Sequence, residues 1–165
     1  MRSVTLWIAV LLLFTGITSR ASACSGDYGQ QIGSFRGVPA YSNGNNNDCT
    51  GTGDGTYQCV EFVKRFYSNA MHFTTSGWTG NGNMYYGSAE AKGLRAFAQN
   101  GTTAPKENDI LCFGGGPGGY GHVGIVTEVT ENSISVIDQN RHPSDPILTL
   151  GLTVTDGHYE VDDIG

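Results

Sequence analysis

Within the stretch YQCVEFVKRFY, apolar side chains recur at Cys59, Phe62, Val63 and Phe66. That spacing of i, i+3, i+4 and i+7 is one face of an α-helix. Thr56 or Asp54 is placed to cap its start, and Lys64 and Arg65 lie toward its C-terminal end, where cations suit the helix dipole. A second helical stripe, Ala91, Leu94, Phe97 and Ala98, predicts a helix over Ser88–Gln99, weakened by Gly93 and stopped at Asn100-Gly101. The segment TTSGWTGNGNMYYG between them reads as a polar, aromatic loop. Residues 24–56 are rich in Gly, Asn, Ser and Asp and predict loops, with one short extended piece at Val38–Tyr41.

From Ile110 onward the pattern becomes that of strands. DILCF is a short apolar run, GGGPGGYG is a tight glycine loop, and HVGIVTEV and ISVIDQN flank a turn at Thr130–Ser133. A β-hairpin is the economical reading. Further strands are expected near Ile147–Val154 and His158–Val161. Helices followed by a mostly antiparallel sheet define an α+β fold.

The N-terminus carries a different signal. Arg2 precedes the apolar run VTLWIAVLLLF, and TGITSRASA then leads to Cys24. A basic start, an apolar run and a small-x-small end predict a secretory signal over residues 1–23 and a single catalytic domain over 24–165. The run is shorter than the roughly 20 residues of a membrane span, so no stable membrane insertion is expected. ASAC also resembles a bacterial lipoprotein box. Ala21 stands where that box carries Leu, so simple cleavage and secretion are preferred over a lipid anchor on Cys24.

The net charge is −6, and loss of Arg2 and Arg20 makes the mature chain more acidic still. This excludes a nucleic-acid partner, which needs a basic footprint, and adsorption to anionic surfaces by charge alone. The 25 glycines are interleaved with aromatic and β-branched residues, so they mark a loop-rich globular domain and not a low-complexity tail.

The candidate chemistry centres on Cys59. A helix N-terminus presents unpaired N–H groups and the positive end of the dipole, which favour a thiolate. His122 opens a strand after the glycine loop, and Asp138 and Asn140 lie near the end of the return strand. Side chains alternate along a strand, so a regular, unbulged hairpin of odd loop length puts all three on one face. A two-residue turn would place His122 on the wrong face. Cysteine, histidine and a carboxylate or amide together support nucleophilic attack on an amide: His takes the thiol proton and the third group orients the ring. Backbone donors at the helix start, with Gln58 beside them, would hold the oxyanion.

The motifs QCVEFVKRF, PKENDIL, GYGHVGIV and VIDQN resemble those of CHAP domains (cysteine, histidine-dependent amidohydrolases/peptidases). YGQQIGSFRGVPAYSN is similar to the segment that opens the amidase domain of glutathionylspermidine synthetase/amidase. The resemblance implies a papain-like α+β fold with N-terminal helices packed on the sheet. It implies Cys59 as nucleophile, His122 as base and Asp138 as third member, at a place where the family more often has Glu. Asn140 matches the family's following Asn and is the alternative orienter. Asn108 departs from the Gly usual before Asp109. Some CHAP domains bind calcium before the cysteine. Asp48 and Asp54 lie there at a different spacing, so no metal or other cofactor is expected, calcium being the lesser alternative.

Simpler readings stand beside these. Secreted chains favour disulfides, and of Cys24, Cys49, Cys59 and Cys112 the preferred pair is Cys24–Cys49, with Cys112 buried in its strand. His72, His142 and His158 read as polar loop residues, and Asn100-Gly101-Thr102 is a glycosylation sequon. Tyr120, Gly121 and Trp78 are candidates for substrate contact; each also reads as turn or core. The expected function is a secreted, monomeric thiol amidase or endopeptidase acting on peptidoglycan amide bonds. The alternatives are an amidase on small γ-glutamyl or polyamine conjugates, and a secreted binding module without turnover.

Overall fold

A computed structural model describes residues 28–44, 56–115 and 117–162. Strands β1 (Gln31–Phe35) and β2 (Val38–Tyr41) form a hairpin, followed by helix α1 (Cys59–Asn69) and a one-turn helix α2 (Gly82–Tyr85). Strands β3 (Ile110–Phe113), β4 (His122–Val129), β5 (Ser133–Ile137), β6 (Ile147–Thr155) and β7 (His158–Val161) then pair in chain order as an antiparallel sheet. The class is α+β.

The apolar stripe of α1 explains its place. Phe62, Val63 and Phe66 are fully buried, and they join Val38 and Ala40 of β2, Val123 and Ile125 of β4, and Ile137 of β5 in one core. Each such side chain stabilises the packing by about 1.5–3 kcal/mol. Val126, Ile134, Val136, Leu150, Leu152 and Val161 form a second core with Phe113. Burial of both sheet faces pins the register of β4 and β5, because a one-residue slip would exchange the two sets.

Three elements differ from the sequence expectation. Gln31–Phe35 is a strand, although its glycine and polar residues gave no clear alternation. The helix expected over Ser88–Gln99 is reduced to a single 3-10 turn at Glu90–Lys92. Gly93 adopts φ 74° and ends it, with Gly93 N donating to Glu90 O and Leu94 N to Ala89 O. The glycine that seemed a weak helical position is a left-handed stop. Asn100 and Gly101 instead pair with Tyr159, fixing the following strap against β7. The expected aromatic loop contains α2, whose Tyr85 is buried.

Candidate active site

The start of α1 is held from outside the helix. Its N-cap is Gln58, which makes no side-chain cap; Thr56 does not take that position, and Asp54 lies outside the described residues. Tyr57, just ahead, adopts a left-handed φ of 58°. Its ring packs on Tyr28 and Tyr41 at centroid distances of 5.0 and 5.2 Å. Such backbone is uncommon for a bulky residue and persists where surrounding packing over-determines it.

Gln139, wholly buried, ties this turn to the sheet. Its Oε1 accepts from Tyr41 N (2.9 Å) and Arg65 Nη2 (3.1 Å). Its Nε2 donates to Gln58 O (3.2 Å) and Glu61 Oε2 (3.0 Å). Arg65 in turn donates to Glu61 Oε1 at 2.7 Å and to Pro39 O, and its guanidinium stacks over Tyr41 and Phe62. Arg65 therefore serves the network beneath the helix start and not the helix C-terminus. The buried amide has all four of its hydrogen-bonding positions used, which makes the link rigid.

The β4–β5 hairpin supplies the other half by a route the sequence did not suggest. At its tip Thr130 N donates to Ser133 O (2.9 Å), leaving Glu131 and Asn132 as a two-residue turn. Val129 pairs with Ile134 and Glu128 with Ser135. In that register His122 and Asp138 would face opposite ways. The register then shifts by one residue at Thr127, so that Val126 pairs with Val136 and Ile125 with Ile137. The bulge restores the parity. The expectation of an odd, unbulged hairpin is thus corrected: an even turn and a bulge together bring the two side chains to one face.

Continuing that register sets Asp138 opposite Gly124, two residues from His122. A Cβ at Gly124 would stand 3.2 Å from Asp138 Cβ and 3.1 Å from Ile137 O. The bare position gives the short Asp138 side chain room to lie diagonally toward the histidine. His122 Nε2 lies 3.1 Å from Asp138 Oδ2, and the Cys59 thiol is within hydrogen-bonding reach of the same ring. With Nε2 taken by Asp138, Nδ1 is the nitrogen left for the thiol. Burial lowers the His122 pKa, but hydrogen bonds to Asp138 and Cys59 and the negative charge of both outweigh it, raising it to about 9. His122 therefore holds its proton at neutral pH.

Asp138 is wholly buried, and the same Oδ2 accepts a 2.6 Å hydrogen bond from Arg141 Nε. Asn140 Nδ2 donates to Gln58 Oε1 at 2.8 Å, joining the sheet end to the helix cap. Of the other candidates, Tyr120 is exposed and Gly121 packs its bare Cα against Phe113 and α2, a Cβ there standing 2.7 Å from Phe113 O. Trp78 is only 4% exposed and packs among Tyr67, Phe73 and Tyr85, so it belongs to the core and not to an exposed groove wall. Cys59 and Cys112 are free thiols. Burial pushes the Cys112 thiol up to about 11, with Lys92 partly offsetting it. Cys24, Cys49, Asp48 and Asp54 lie outside the described residues.

Sequence reasoning missed Gln139 and Arg141, and it reads Tyr85 as a core or rim aromatic, which its burial bears out. The Tyr85 hydroxyl is buried without a partner, and its pKa is raised by burial and then by Cys59 and Cys112. Only Gln139 had a sequence signal, its place between Asp138 and Asn140. A cavity of about 870 Å³ is walled in part by Tyr85, Cys112, Leu94 and Phe97 but by none of Cys59, His122 and Asp138. The cluster of Cys59, His122 and Asp138 lies at the helix–sheet junction and not in that cavity.

A thiol at a helix N-terminus, a histidine that can take its proton and a carboxylate behind the histidine are the groups that nucleophilic thiol catalysis uses. The CHAP domain family model matches residues 50–140, just over half of the chain, and the chain belongs to that family. CHAP domains are amidase- and peptidase-type hydrolases that often act on peptidoglycan. No curated protein matches this chain. No described helix is long and apolar enough to cross a membrane.

Proposed function

We propose that this protein is a secreted thiol amidohydrolase or endopeptidase of papain-like architecture that hydrolyses amide bonds of peptidoglycan, within or at the root of its stem peptides. The supporting observation is the 3.1 Å contact of His122 with Asp138 beside the Cys59 thiol. In this reading the Cys59 thiolate attacks the amide carbonyl carbon. The Cys59 N–H and the Gln58 side chain stabilise the oxyanion that forms. His122 gives its proton to the departing amine as the C–N bond breaks, leaving a thioester. It then takes a proton from water, whose oxygen attacks the thioester and releases the acid and the thiol. Asp138 holds the ring throughout. Residues 1–23 supply the export signal, which fits a wall substrate better than a cytosolic conjugate. Incubating the mature protein with purified peptidoglycan under reducing conditions tests the reading. New amino groups and stem-peptide fragments are expected from wild type and not from Cys59→Ala. Turnover of soluble γ-glutamyl conjugates alone, or wall binding without turnover by either protein, would refute it.

A further inference from the structure

Asp138 presents a physical problem. It is a carboxylate with no solvent exposure, its Oδ1 is buried without a hydrogen-bond partner, and it faces a histidine that must gain and lose a proton. A buried carboxylate whose only counter-charge is a titrating imidazole would be left as a lone buried anion each time that proton departs.

Arg141 meets this problem in a fixed geometry. Its Nε donates to Asp138 Oδ2 at 2.6 Å, while Nη2 donates to Asp145 O at 3.2 Å and to Ile147 O at 3.1 Å. The loop that carries those acceptors is itself closed. Asp138 N donates to Pro146 O at 2.8 Å, Ile147 N to Asp145 Oδ1 at 3.0 Å, and Asp145 N to His142 Nδ1 at 3.0 Å. The guanidinium is thus clamped between the carboxylate and the start of β6, and its side chain is three-quarters buried.

We infer that Arg141 is a positioning residue for the catalytic histidine: it fixes Oδ2 of the short, buried Asp138 against His122 through both protonation states of the ring. A permanent cation suits the task because it does not titrate, and the guanidinium fork suits it because one edge can hold two carbonyls while Nε holds the acid. The inference rests on the proposed role of His122, and its test is read without substrate turnover.

The charged and titratable groups around the dyad bound the expected pH behaviour. Cys59 on α1 faces His122 directly. Tyr85 on α2 stands near Cys59, and Cys112 on β3 near Tyr85. Glu61 and Arg65 on α1 are paired with each other and connect to this end of the sheet through Gln139. On the loop itself Arg141 is the cation on Asp138, with Asp145 and His142 behind it. Removing the Arg141 charge takes a cation away from the neighbourhood of the imidazolium, so His122 holds its proton to higher pH.

The test is an NMR titration of the His122 ring in wild type, Arg141→Gln and Arg141→Lys, run on the mature chain with retained amide dispersion as the folding check. The His122 midpoint is expected to rise by about one pH unit in Arg141→Gln, the low end of a close charge's effect. In Arg141→Lys it is expected within a few tenths of the wild-type value. An unchanged or lowered midpoint in a folded Arg141→Gln overturns the inference. Should Arg141→Gln fail to fold, Arg141→Lys decides: dispersion with the wild-type midpoint supports the charge role, and a midpoint displaced by a full unit despite the retained charge refutes it. Failure of the hydrolase reading would appear as absent turnover in wild type and leave this titration unaffected.

Discussion

His122 Nε2 meets Asp138 Oδ2 at 3.1 Å across two strands whose turn, taken alone, would set them on opposite faces. The bulge at Thr127 and the bare Cα of Gly124 make that contact, and its consequences can be measured.

Replacing Asp138 with Asn removes the negative charge that holds the imidazolium. The His122 titration is expected to fall from about 9 toward the ordinary histidine value. Any peptidoglycan-hydrolysing rate should fall by up to about 10⁴, the loss seen when a triad's orienting acid is neutralised. NMR titration and the pH–rate profile of the variant check both effects.

Folding stability should carry the same signature. His122 binds its proton more tightly folded than unfolded, so its contribution is fully present below about pH 6.5. It is lost as pH rises through about 9. The loss is on the order of 3 kcal/mol. Urea unfolding at pH 6 and pH 9.5 is expected to show this fall in wild type and a flatter profile in His122→Gln.

Gly124→Ala should act on the site through one methyl group. The added Cβ would overlap Val136 Cγ1 and stand 3.2 Å from Asp138 Cβ, so the Val136 side chain or the strand must shift and the acid is crowded with it. A cost of about 1–3 kcal/mol is expected from the crowding, together with a lowered His122 midpoint as the contact lengthens. Thermal unfolding and the ring titration check the pair.

Gln139→Leu keeps the approximate volume of a buried amide and removes its hydrogen bonds. Tyr41 N then loses its Gln139 partner, while Gln58 O keeps the Phe62 N–H. Destabilisation of about 1–3 kcal/mol per unsatisfied buried group is expected, with faster hydrogen exchange at the N-terminus of α1 than at its C-terminus.

The legible part of this fold was what periodicity carries. The i, i+3, i+4 pattern of Cys59 to Phe66 yields α1, and the apolar runs after Ile110 yield the strands of the sheet. The resemblance supplied the order of Cys59, His122 and Asp138, and it fits the family match over residues 50–140. Three features were hidden for physical reasons. A bulge leaves no compositional mark, so the parity of the hairpin could not be read from its turn alone. Gly93 looks the same in a weak helix as in a left-handed stop, and only its φ of 74° distinguishes them. Arg141 reads as a loop cation until the buried Asp138 beside it is seen.

The pairing of Cys59 with His122 is tested most directly by the alkylation of individual cysteines with limiting iodoacetamide at pH 7, followed by peptide mapping. Cys112, its thiol pushed up to about 11, serves as the internal reference. The account predicts that Cys59 reacts at least about tenfold faster than Cys112 and slows by a similar factor in His122→Ala, as expected when a neighbouring imidazolium stabilises the thiolate. A Cys59 found in a stable disulfide, or one whose reactivity is unchanged in His122→Ala, would contradict it.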